Sequence, residues 1–248
     1  MKQKEIIKAM RRYELKYLLN KDQIDLFVKK ISDYMQADDY GRTTIASLYF
    51  DTPDYRLITK SIEKPKYKEK IRLRSYGLAT SKSPTFLEIK RKNEGIVYKR
   101  RISLLENKAY EFFENQETLD NEQITRELEA FLQNYKNLEP KYLIISDRIA
   151  YFQKDSDLRV TIDTNPRYRK TDLNLHTSMD GIPLLDEGWA ILEIKVQHSV
   201  PMWLVDILSE CKIYKTSFSK VGTAHKKELV NALSIKNKKG EIRYGFTI

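Results

Sequence analysis

The sequence predicts an α+β protein, a mostly antiparallel sheet with helices packed against it. Three observations predict this. Short segments alternate charged and apolar residues, the period of a strand with two unlike faces. These segments follow one another too closely for regular crossover helices, which favours antiparallel pairing. A few stretches instead space their apolar residues as a helix does. No linker rich in Pro, Gly or Ser and no repeat divides the chain, so residues 1–248 read as a single domain.

The first strand falls at 11–19, where Arg12, Glu14 and Lys16 alternate with Tyr13, Leu15 and Tyr17. A helix follows over 22–34. Residues 45–50 (IASLYF) read as a mostly buried strand, stopped by the turn-like Asp51-Thr52-Pro53-Asp54. In 66–76, Lys66, Lys68, Lys70, Arg72 and Arg74 share one parity. In 85–91, Glu88 and Lys90 oppose Leu87 and Ile89, and in 96–103, Lys99 and Arg101 share a side. Ile124, Leu128, Phe131 and Leu132 mark a helix over 121–136. Strands resume at 141–152, at 158–163 with Arg159, Thr161 and Asp163 on one face, and at 190–197 with Glu193 and Lys195 opposite Leu192 and Ile194. Segment 165–188 reads as a hairpin or loop insertion. Helices are expected at 203–211, where Cys211 packs in an apolar run, and at 220–234.

The chain carries 45 Lys+Arg against 35 Asp+Glu, a net charge of +10. Residues 60–101 hold 14 of the cations and 4 of the acids, so this stretch accounts for the whole excess. A block of this kind points to an anionic partner, although read alone it also suits a solvated basic face. No apolar run is long enough to span a membrane, and the N-terminal residues lack a leader pattern, so a cytoplasmic protein is expected. A single cysteine excludes an intrachain disulfide, and the three histidines show no ligand spacing. Helix-turn-helix, RNP and zinc patterns are absent, and no nucleic acid is expected as a partner. If the sheet closed on itself with the charged parity inward, the lumen would repel itself until an anion filled it. A triphosphate or longer polyphosphate suits such a site. Lys60, Lys64 and Lys82, and the tail 236–243, read as solvated surface.

These segments resemble the VTC domain, the polyphosphate polymerase branch of the triphosphate tunnel metalloenzymes (the CYTH-like superfamily). The matching stretches are RYELKY (12–17), SLYFDT (47–52), KIRLRSYG (70–77), FLEIKRK (86–92), YKRR (98–101), EPKYLIISDRIAY (139–151), LRVTIDT (158–164), ILEIK (191–195) and SFSKVGTAH (217–225), in the family's order. The resemblance implies a closed eight-stranded antiparallel β-barrel forming a tunnel, with helices packed outside. It implies a catalytic set of Arg72, Arg74, Lys90, Arg148 and Arg159. Further phosphate contacts are implied at Lys16, Lys99, Arg101, Lys195, Ser219 and Lys220. A divalent metal, Mn or Mg, is implied on Glu193, with Glu14 as a second ligand. The implied reaction transfers the γ-phosphate of ATP to inorganic phosphate or a growing polyphosphate chain. One departure is Ser146, where the family usually carries Tyr. Two alternatives stay open: a triphosphatase or tripolyphosphatase of the same fold, and a non-catalytic polyphosphate-binding module. Hydrolytic members tend to begin E-x-E-x-K, whereas this chain has Arg12 in the first acidic slot. A membrane or a partner protein supplied by another chain remains open as well.

Overall fold

A computed structural model describes residues 12–63, 65–115 and 123–244. Lys64, the first eleven residues of the leader reading and the side chains of 236–243 lie outside the described residues, while Lys60 and Lys82 are exposed. The chain runs β1 (Tyr13–Leu19), α1 (Lys21–Ile31), β2 (Gln36–Ala37), β3 (Thr43–Asp51), α2 (Arg56–Glu63), β4 (Tyr67–Tyr76), β5 (Pro84–Asn93), β6 (Ile96–Leu105), α3 (Glu106–Asn115) and α4 (Gln123–Asn134). It continues with β7 (Glu139–Phe152), β8 (Arg159–Arg169), β9 (Ile182–Pro183), β10 (Ala190–Val196), α5 (Met202–Glu210), β11 (Lys215–Thr216) and α6 (Lys220–Tyr244). Segment 165–188 opens as the end of β8, against which β9 returns.

The strands form one antiparallel sheet in the order β11-β1-β10-β8-β7-β3-β4-β5-β6, with β2 on β7 and β9 on β8. The expectation of a closed barrel needs correction here. Among the described residues, the ladder is open between β1 and β6, where one bridge joins Arg12 to Val97 through Val97 N–H donating to Arg12 O at 3.1 Å. The physical reason is register: with Arg12 opposite Val97 in antiparallel pairing, β1 from Glu14 onward runs past the start of β6 at Ile96, so the two strands barely overlap among the described residues.

Alternation decides what lies on each side of the sheet. The outward parity of β3, β4, β5 and β7 (Leu48, Phe50, Ile71, Leu73, Leu87, Ile89, Leu143) packs under Phe112 of α3 and Leu128 and Phe131 of α4. The outward parity of β1, β8 and β10 packs on Phe27 and Ile31 of α1 and Leu204 and Ile207 of α5, with Cys211 buried beside them. Asn20 caps α1 in a capping box with Gln23. A third cluster (Tyr49, Tyr142, Ile144, Tyr168) lies on the inward parity and is covered by Val221 and Ala224 of α6 and Ile58 of α2. The inner face is therefore apolar at the α6 end and charged beyond it. No helix among the described residues is long and apolar enough to cross a membrane.

Candidate functional site

Beside the apolar cluster, the inward parity of the strands presents two charged walls. Register explains how residues distant in sequence meet. Lys70, Arg72 and Arg74 on β4 stand beside Lys90, Glu88 and Phe86 on β5, which stand beside Lys99, Arg101 and Ser103 on β6. On the opposite wall, Glu14 and Lys16 pair with Lys195 and Glu193, and Arg148 pairs with Asp163.

Glu88 is the hub of the first wall, with a side chain that is 0% exposed. Arg72 reaches it at 2.7 Å, Lys99 at 2.6 Å and Arg101 at 2.5 Å, with Arg74 at 3.9 Å. Burial alone would raise its carboxyl, but Arg74, Arg72, Lys99 and Arg101 outweigh that and hold it well below the ordinary range. Arg72 also donates to Tyr49 Oη at 2.9 Å, and Arg74 Nε to Ser47 Oγ at 3.2 Å. Burial pushes Lys99 down to about 7, against the pull of Glu88 and helped by Arg74 and Arg72.

Asp163 organises the second wall. Arg148 grips it in bidentate fashion at 2.5 and 2.7 Å, and Lys220 bonds it from the start of α6. Burial opposes ionisation of Asp163, and Arg148 and Lys220 overcome it, so its carboxyl titrates far below the usual range. Burial lowers Lys220 to about 8. Ser146, in the place of the family's tyrosine, is buried and accepts from Lys220 Nζ at 3.4 Å. Glu193 lies 3.3 Å from Lys195, and Glu14 pairs with Lys90 across the open seam of the sheet. Lys16 Nζ donates to Phe218 O at 3.1 Å.

Ser219 precedes α6 and accepts from Gly222 N–H and from Lys70 Nζ, the latter at 2.9 Å. Burial lowers Lys70 to about 7, with Lys16, Lys90 and Lys68 adding to it. Burial would raise the Tyr49 phenol, yet Arg72, Lys70 and Arg74 bring it down to about 7.

The structure thus gathers Lys16, Arg72, Arg74, Lys90, Lys99, Arg101, Arg148, Lys195, Ser219 and Lys220 with Glu14 and Glu193 on one inner face. Arg159 stands apart. It shares that parity and pairs with Lys195, but it is exposed, donates to the carbonyls of Ser156 and Leu158, and lies over the Phe152 ring. Glu88, Asp163, Lys70 and Tyr49 were given no role in the sequence reading. The first three sit on the charged parity of their strands, which was the available signal. Tyr49 lies in an apolar run whose two faces look alike, so no pattern marks it.

Among the described residues, no three His, Cys, Asp or Glu side chains gather as a metal group. Glu14 and Glu193 are diagonal neighbours on adjacent strands with their charged faces shared. Two carboxylates suit a hard divalent ion that completes its shell with water and phosphate oxygens, rather than an all-protein cage. Both are ion-paired in this structure, Glu14 with Lys90 and Glu193 with Lys195, so an ion held there would compete with those lysines.

An antiparallel sheet with a cationic inner face, packed on its outer face by α1, α3, α4 and α5 and at one end of its inner face by α2 and α6, defines an α+β protein. The sequence model of the VTC domain matches residues 11–228, and the chain belongs to that family. Solved structures share the fold. The adenylyl cyclase candidate HpAC1 from Hippeastrum, whose structure reveals a dominant triphosphatase activity, is 15% identical with a TM-score of 0.55, over 88% of this chain and 96% of that one. A candidate adenylate cyclase of Bacillus halodurans is 13% identical with a TM-score of 0.53, over 86% and 96%. One from Vibrio parahaemolyticus is 11% identical with a TM-score of 0.50, over 88% and 99%. No curated protein matches the chain.

Proposed function

We propose that the protein is a metal-dependent polyphosphate polymerase that moves the γ-phosphate of ATP onto inorganic phosphate or the end of a polyphosphate chain. The observation that carries this reading is the imbalance of the inner face. Lys16, Lys70, Arg72, Arg74, Lys90, Lys99, Arg101, Arg148, Lys195 and Lys220 face only Glu14, Glu88, Asp163 and Glu193. A row of closely spaced phosphates supplies the missing negative charge.

Catalysis in such a site is positioning and charge neutralisation. Arg72, Arg74, Lys90 and Arg148 hold the reacting phosphates in line, and Lys16, Lys99, Arg101, Lys195, Ser219 and Lys220 grip the flanking ones. Lys99 and Lys70, lowered by burial, take up protons when the anion arrives. Arg159 serves as an outer contact for chain beyond the cluster. Glu193 and Glu14 would hold the metal, which supplies Lewis-acid neutralisation of phosphate oxygens. The open ladder at β1 and β6 forms a working tunnel once its walls grip a common ligand.

A second reading, hydrolysis of triphosphates, is favoured by the triphosphatase activity of the Hippeastrum neighbour. Arg12 favours the polymerase, because its position shares the face of Glu14 where hydrolytic members place a carboxylate. The test is incubation with ATP and Mn²⁺ or Mg²⁺, resolving polyphosphate on a gel beside a free-phosphate assay. Polymer supports the polymerase, free phosphate alone the hydrolase, and neither a binding module. Arg72→Ala is expected to lower turnover by about 10²–10³-fold, and Arg159→Ala by far less. Full activity in Arg72→Ala would overturn the site.

A further inference from the structure

We propose that Tyr76, with Phe86 and beside Arg101 at the edge of the phosphate-gripping cluster, forms a stacking site for the base of a nucleoside triphosphate at the mouth of the charged interior. This rests on the reading of that interior as a phosphate site.

The argument is one of order along a strand. Lys70, Arg72, Arg74 and Tyr76 occupy successive inward positions of β4, each about 6.8 Å beyond the last. The series runs from cations to an aromatic ring. A nucleoside triphosphate has the same order, a row of charges ending in a flat base. The direction is fixed by what covers each end. Lys70 meets Ser219 at the start of α6, so that end is covered. Tyr76 is 47% exposed, so its end is open.

The rim is built to hold an aromatic plane. Tyr76 and Phe86 meet edge to face, with centroids 5.6 Å apart and planes at 79°. The Arg101 guanidinium lies 4.4 Å from the Phe86 centroid and donates to Tyr76 Oη at 3.1 Å. Its position is fixed from below by Glu88 at 2.5 Å. Arg101 therefore links the phosphate cluster to the aromatic rim. A tyrosine face and a guanidinium plane are the surfaces on which bases stack, with little preference among bases. Inorganic tripolyphosphate carries the same charges without a base, so it reaches the cluster but not the rim.

That difference gives the test. Binding of ATP and of inorganic tripolyphosphate is measured by calorimetry in EDTA for the wild type, Tyr76→Ala and Tyr76→Phe. The expected result is an ATP affinity about tenfold weaker in Tyr76→Ala, with tripolyphosphate affinity unchanged. Tyr76→Phe, which keeps the ring and loses the Arg101 hydrogen bond, is expected to bind ATP as the wild type does. Unchanged ATP affinity in Tyr76→Ala overturns the rim site and leaves the phosphate reading standing. Equal losses for both ligands also overturn it, because Tyr76 would then act through Arg101 on the phosphates. A wild type that binds neither ligand overturns the rim and the phosphate reading together.

Discussion

Glu88 shows how a single side chain sets the chemistry around it. Three cations touch it and a fourth is near, all on one wall. It neutralises part of that cationic wall. Replacing one partner of a buried ion pair leaves uncompensated charge and costs about 3–5 kcal/mol. Glu88→Gln is therefore expected to lower stability by about that amount in denaturant unfolding, and saturating tripolyphosphate is expected to restore part of it. Unaltered stability would mean the cations are solvated well enough without it. The lysines give a second prediction. Lys99 and Lys70 sit near 7, below the ordinary lysine value, because burial disfavours their charge. A bound polyanion favours the charged form and raises both. Proton uptake then accompanies binding, and tripolyphosphate affinity is expected to fall as pH rises from about 7 toward 9. Calorimetry across pH and in buffers of different ionisation enthalpy checks the sign; affinity that rises over this range would refute it.

At the level of elements, legibility followed the contrast between faces. β4, β5, β6 and β10 were readable because each sets cations against aliphatics, and the same parity located the site. α4, α5 and the start of α6 were readable from apolar spacing. α2 and α3 were not read as helices. The buried residues of α2 are Leu57, Ile58 and Ser61, too few to stand out beside a turn and a basic block. β8 was read short because its continuation, Asn165–Arg169, turns polar and pairs with β9. The hairpin this makes has one tight place. A Cβ on Gly181 would lie 2.7 Å from the Tyr168 carbonyl oxygen. Gly181→Ala is expected to cost about 1–3 kcal/mol and to speed hydrogen exchange at Leu184, whose N–H bonds Pro166 O. Wild-type exchange there would show that β9 shifts without loss.

For the whole molecule, the charge excess and the site are related but not the same. The block at 60–101 supplies one wall. The other wall comes from β1, β7, β8, β10 and the start of α6, in the part of the chain whose charges sum to zero, so its cations do not show in the charge count. Closure was the feature least visible in sequence. It depends on register: Arg12 meets Val97 where β6 is only beginning, and no periodicity announces that offset.

That open seam has a mechanical consequence. Among the described residues, the seam is crossed by the Arg12–Val97 backbone bridge and the Lys90–Glu14 pair rather than by a full ladder. A polyanion held by Lys90 and Lys99 on one side and by Lys16 and Lys195 on the other would act as a rivet through the gap. The cargo then completes the container. Hydrogen exchange at Val97 N–H, the bridging donor, is expected to slow when tripolyphosphate binds, while exchange in the outer core strands stays the same. A Val97 amide indifferent to the ligand would mean the seam is held shut by the protein alone.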